Sequence, residues 1–158
     1  VSGLFSVKTM AQSKVAHINA QALIEAMPEA QTAMKTLQTY AAELDNDGKG
    51  LIDEYQKKLK EFNDGADKMT DNMRDIKGKE LQTAQKNIQD YQDAAQNKIE
   101  AKRQELLKPI YDKARKAIED TAKEKGYGYV IDNSQSILLV APAGDDLSAP
   151  VKAKLGIK

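Results

Sequence analysis

Residues 34–62, MKTLQTYAAELDNDGKGLIDEYQKKLKEF, decide the fold. Apolar or small residues return in them at Met34, Leu37, Ala41, Leu44, Gly48, Leu51, Tyr55, Leu59 and Phe62, in steps of three and four. A helix puts residues at that spacing on one side, and a stripe about one residue wide suits another helix better than a broad core. Toward the N-terminus the rhythm begins at Ala30, just past Pro28; toward the C-terminus it continues through Ala66, Met69, Met73 and Ile76. The result is more than six heptads with one stutter at Tyr55–Leu59. The pattern resumes at Leu81, Ala84, Ile88, Tyr91, Ala95 and Ile99, then Leu106, Ile110, Ala114 and Ala117, and stops at Lys125-Gly126. Glycine just past the last turn, with lysine inside it, is a helix terminator. The spacing predicts two antiparallel helices of about 48 residues, each about 70 Å long at 1.5 Å per residue. Ile76-Lys77-Gly78-Lys79 lies near the midpoint, so the turn is expected at 73–79 and the arm over 30–125.

The flanks read differently. Lys14–Asn19 is strand-like, Ala20–Met27 is a short helix reset by Pro28, and Tyr129–Asp132 and Ile137–Val140 read as a hairpin around Asn133–Ser136. A last helix is expected over Leu147–Leu155. The fold class is therefore mainly α with a small β root (14–29 and 126–158) in a single domain, 12–158. Three short strands bury too little apolar area to stand alone. Val15, Ile18, Val130, Ile131, Leu138 and Val140 are accordingly expected to pack against other subunits.

Composition narrows the function. Charged residues make up 30% and aromatics 5%, with no Trp or Cys, which suits long exposed helices over a round core. Twenty-four basic residues balance 24 acidic ones, so bulk electrostatics gives no pull toward nucleic acid. No apolar run approaches the roughly 18 residues of a membrane span, which leaves at most peripheral membrane contact. Val1–Val7 is apolar and small, and Thr9 and Ala11 fit a signal-peptidase cut before Gln12. Residues 1–11 are read as the remnant of a secretory signal, with a frayed N-terminus as the alternative.

Catalytic machinery is scarce. His17 is the single histidine, no cysteine accompanies it, and no phosphate-binding or dinucleotide motif occurs. The reading is a non-enzyme without cofactor, with His17 structural. Asp45-Asn-Asp-Gly-Lys-Gly-Leu-Ile-Asp-Glu54 resembles a calcium loop, but Lys49 stands at the fifth ligand position and Gln56 where a bidentate glutamate belongs. No metal site follows from it, and the stretch reads as a loosened part of the ascending helix. Gly48, Gly50 and Pro109 are candidate hinges, placed at a similar height if the turn lies near Ile76; a static kink is the other reading. Phe62, Met69 and Met73 lie on the seam near the expected tip. Adaptable methionines suit promiscuous client contact, and the same spacing suits hairpin core.

The order and lengths of these pieces resemble the Skp/OmpH family of periplasmic chaperones. Its more specific marks are Lys14-Val-Ala-His-Ile-Asn19, Glu105-Leu-Leu-Lys-Pro-Ile-Tyr-Asp-Lys-Ala114, Lys125-Gly-Tyr-Gly-Tyr-Val-Ile-Asp132 and the closing Asp146–Lys158. The resemblance implies a homotrimer with a β-rich body and helical arms enclosing a cavity. It also implies ATP-independent, periplasmic binding of unfolded outer-membrane proteins. Family members with strongly basic arms attract clients by charge, whereas residues 54–98 here hold nine basic and nine acidic side chains. A structural coiled-coil scaffold of the envelope is the alternative from another class.

Overall fold

The computed structural model describes residues 13–157, so the expected leader remnant and the cut before Gln12 lie outside the described residues. The elements are β1 (Lys14–Ile18), α1 (Ala20–Glu25), α2 (Pro28–Gly65), α3 (Asp71–Glu124), β2 (Tyr127–Asp132) and α4 (Ser148–Leu155). Single 3-10 turns occur at Ala66–Lys68 and Ala143–Asp145. Two compact units share these elements. Among the described residues the root takes 13–31 and 108–157, and the arm takes Thr32–Leu107. The last turns of α3 therefore belong to the root, where Ile110, Ala114, Ala117, Thr121 and Ala122 are buried. Four of these five are small, which lets neighbouring elements approach α3 closely.

In the root, β1 and β2 pair in parallel, with Val15 opposite Tyr129, Ala16 opposite Val130, His17 opposite Ile131 and Ile18 opposite Asp132. Parallel pairing demands a long crossover, which α1, α2 and α3 supply. The start of α1 is capped by side chains from three residues. Asp132 Oδ1 accepts from Ala20 N at 3.2 Å, Ser134 Oγ from Gln21 N at 3.1 Å, Asn19 Oδ1 from Ala22 N at 2.8 Å and Asn19 O from Leu23 N at 3.1 Å. Three orphan N–H groups at the helix start, those of Ala20, Gln21 and Ala22, thus find side-chain acceptors, and Leu23 makes the first intrahelical bond. Pro28 opens α2 at a position where its missing N–H costs nothing. Gly156, at φ 70°, closes α4 as Ile157 N donates to Lys152 O.

The expected hairpin does not form within one chain. The turn at Asn133–Ser136 is present, with Ser136 at φ 53°, but Ile137–Val140 carries no strand pairing. Asn133 Oδ1 accepts the Leu138 N–H at 3.0 Å, so an amide of the returning run is spent on the turn instead of on β2. The second edge of β1 is used instead by the later loop, where Leu147 N donates to His17 O at 3.0 Å.

The arm's turn also differs from expectation. It falls at Ala66–Thr70, ahead of 73–79, and Gly78 lies inside α3. The helices are accordingly unequal, 38 residues for α2 and 54 for α3. Thr70 ends the turn as an N-cap, its hydroxyl accepting from Met73 N at 3.2 Å. Arg74 reaches back to donate to Ala66 O at 2.9 Å. The seam hid this turn because Ala66, Met69, Met73 and Ile76 keep the three–four rhythm straight across it.

Candidate functional site

Two surfaces carry apolar residues that one chain leaves uncovered. The first is on the root. β1 and β2 turn Ala16, Ile18 and Val130 toward the buried side, while Val15, Tyr129 and Ile131 share the opposite face and remain 45%, 65% and 38% exposed. Beyond the turn, Ile137, Leu139 and Val140 are exposed and Leu138 is half-buried. Of the six root residues expected at an interface, only Ile18 is fully buried in the single chain. Between α1, α3 and β2 lies a groove of about 580 Å³, lined among others by Ile24, Tyr111, Ile118, Tyr129 and Val130. Tyr111 and Tyr129 are not among the residues expected at an interface, although large aromatics in a chain so poor in them are a signal for one.

Polar contacts fix the shape around this face. His17 Nε2 lies 2.9 Å from the Pro142 carbonyl and donates to it, and its backbone holds the Asp146–Leu147 segment. The side chain is buried, so its role is to tie a loop to β1. Burial pushes the Asp146 carboxyl up, but Ser148 and the nearby His17 outweigh it and leave the group below its usual range. Asp132 is also held below that range, first by the Ser134 hydroxyl, against burial, and then by the Ser134 and Ala20 amides. Tyr127 donates to Asp145 at 2.9 Å, which pushes the phenol up.

The second surface is the arm. Phe62 and Met69 are half-buried and Met73 is 46% exposed. They bracket the turn from its two sides, since Phe62 ends the α2 seam, Met69 lies in the turn and Met73 opens α3. Gly65 leaves room for Met69, whose methyl would sit 3.0 Å from a Cβ there.

The expected hinge residues have three different surroundings. A Cβ on Gly48 would stand 2.9 Å from Tyr91 Cε1, whereas one on Gly50 would meet nothing within 4 Å. Tyr91 lies across Gly48 and donates its hydroxyl to Leu44 O at 2.7 Å. Gly48 is thus the socket of an aromatic knob, opposite Tyr91 and 18 positions from the level of Pro109 along α3, which corrects the shared height. Pro109 sits within the unbroken α3. Residues 45–54 are helical throughout, so the calcium-like stretch has no loop geometry.

The sequence profile of the family described as outer membrane protein (OmpH-like) matches residues 14–155. The chain belongs to that family. A crystal structure of a candidate OmpH-like outer membrane chaperone from Caulobacter crescentus has the same fold. It aligns at a TM-score of 0.74 and 14% identity, over 96% of this chain and 89% of that one. Among curated proteins compared by sequence, none matches. In this OmpH-like chain, no helix among the described residues is long and apolar enough to cross a membrane.

Proposed function

We propose that the chain is an ATP-independent, non-enzymatic holdase of the periplasm that works as a homotrimer on unfolded outer-membrane proteins. OmpH-like membership over residues 14–155 carries the reading, and the fold shared with the Caulobacter protein supports it. The exposed root face supports the trimer. Tyr129, Ile131, Leu139 and Val140 in open water would be costly, and the outer edge of β2 has no partner among the described residues. A second copy's Ile137–Val140 run would cover that face and complete a sheet that two strands cannot sustain. Phe62, Met69 and Met73 act as adaptable apolar contacts near the arm's turn, and Gly50 and Pro109 as its compliant points, with Gly48 contributing through its fit to Tyr91.

The test is a urea-unfolded outer-membrane barrel diluted into the protein while light scattering is recorded. A stoichiometric trimer should suppress aggregation without nucleotide. Unchanged scattering would favour an envelope scaffold. Ile131→Asp should dissociate the assembly by placing an unpaired charge in the covered face, and sedimentation equilibrium of the parent protein should give three copies. A parent protein that sediments as a monomer at micromolar concentration would remove the trimer.

A further inference from the structure

The charge of the arm balances only on average. From 54 to 87 it holds eight basic and seven acidic residues. Residues 43–53 and 88–99 are different: Glu43, Asp45, Asp47, Asp53, Asp90 and Asp93 stand against Lys49 and Lys98 alone, six against two. Asp45 is answered by Lys49 at 3.7 Å and Asp90 by Lys86 at 2.5 Å. Glu43, Asp47 and Asp53 make no ion pair among the described residues. The field of this belt reaches inward, since burial first, then Asp47 and Asp45, push the Tyr91 phenol up.

The same stretch contains a largely apolar notch of about 260 Å³ between α2 and α3, with Asp45, Gln92 and Gln96 among the residues that line it. It exists because the seam uses Ala41 and Ala95 here, where neighbouring positions carry Leu or Ile, while the space beside Gly48 is taken by the Tyr91 ring. Leu44, Leu51, Ile88 and Ile99 form its walls, and Ile52 stands half-open at the rim. Tyr91 forms one side of it, its ring over Gly48 and its hydroxyl donating to Leu44 O.

We propose that this notch docks a large apolar side chain of an extended polypeptide whose adjacent residues are Lys or Arg. The inference rests on the client-binding reading and gives it a place and a chemistry. The notch removes the apolar group from water, and the belt attracts the flanking cation while repelling an acidic neighbour. A second copy's arm is the wrong occupant, since it would bring the same carboxylates against this belt.

Two labelled, disordered peptides that share their apolar residues and differ only in flanking Lys or Glu would be titrated into the full chain by fluorescence anisotropy. The Lys peptide should bind about tenfold tighter, a difference of about 1.4 kcal/mol. The variant Asp45→Asn/Asp47→Asn, which neutralises the carboxylate lining the notch and its neighbour beside Tyr91, should cut that advantage below about threefold, and Ala95→Leu should weaken both peptides, with helicity by circular dichroism unchanged in each. Equal binding of the two peptides, or a preference that survives neutralisation, would overturn the notch. Suppressed barrel aggregation beside equal peptide binding would leave the chaperone reading standing and remove only the notch. Selective peptide binding beside unsuppressed aggregation would do the reverse.

Discussion

In the root, side chains from strands and helices converge, and Leu23, Met27, Leu147 and Val151 keep 1% or less of their exposure. In the arm only Ala33, Leu37 and Leu44 are buried, and none of the described residues between Leu44 and the turn reaches that level. Ion pairs divide the same way. Every arm pair joins residues three or four apart on one helix, while the root has, beside two such pairs at Lys108–Asp112 and Lys116–Asp120, Lys113 with Glu29 and Lys154 with Glu124 across elements. The root is therefore specified by packing in three dimensions. The arm is a seam held by repetition, with Tyr91 as its cross-helix polar anchor near the middle. One sequence thus contains a rigid part and a yielding part, and the difference is how many directions a side chain is held from.

The sharpest way to break this comparison is to remove equal volumes from each part. Leu23→Ala in the root should cost about 2–5 kcal/mol, because a fully enclosed site leaves a cavity. Ile88→Ala on the half-buried seam should cost about 1 kcal/mol, since water and a small helix shift fill the gap. Urea titration of the two variants checks this, and equal losses would mean the arm is packed as tightly as the root.

The second test contrasts two glycines within the arm. Gly50→Ala should stabilise by about 1 kcal/mol, because the added methyl meets open space in a helix. Gly48→Ala should destabilise by about 1 kcal/mol, because overpacking against the Tyr91 ring outweighs the same helical gain. Thermal melts should move in opposite directions.

Acid probes the root. Asp132 and Asp146 are held below the usual aspartate range. Such groups contribute stability that is present above the unfolded value, about 3.9, and lost as pH falls through the folded one. Melting temperature should thus drop as pH goes from 5 to 3. Asp132→Asn, which keeps an acceptor but does not titrate, should start lower at pH 7 and lose less. The smallest effect expected is that of salt. Raising ionic strength from 0.01 to 0.15 M shortens the Debye length from about 30 to 8 Å. Affinity for a whole unfolded barrel should then change by less than about threefold, because the arm has little net charge for long-range steering.

The punctuation of the chain was legible. Pro28 opens α2 and Gly126, at φ 73°, closes α3, as their chemistry predicts, whereas the caps at Asn19 and Gly156 came only with the structure. Periodicity revealed the seam but not its turn, since four seam residues keep step through Ala66–Thr70. That shift spread into the candidate hinge. A turn near Ile76 sets Gly48 against Gln104, whereas the actual turn sets it against Tyr91 and makes it a socket. Strand direction was likewise invisible, because alternation marks which face is buried and not which way a neighbour runs. Ile137–Val140 has the composition of a covered strand, and a single chain has nothing to cover it with. The notch needed two helices in register before Ala41 and Ala95 could be seen to leave one gap.

The parallel pairing of β1 with β2 also sets an order of events. Their partner residues are more than a hundred positions apart, so β1 must wait for almost the whole chain before it has anything to pair with. Contacts across the arm, by contrast, begin a few residues from the turn and extend step by step. Zipping α2 onto α3 replaces one long loop closure with many short ones and brings the two strands to each other at the end. Folding should therefore start far from the sheet and finish on it, and a variant that slows the arm should delay the root without weakening it.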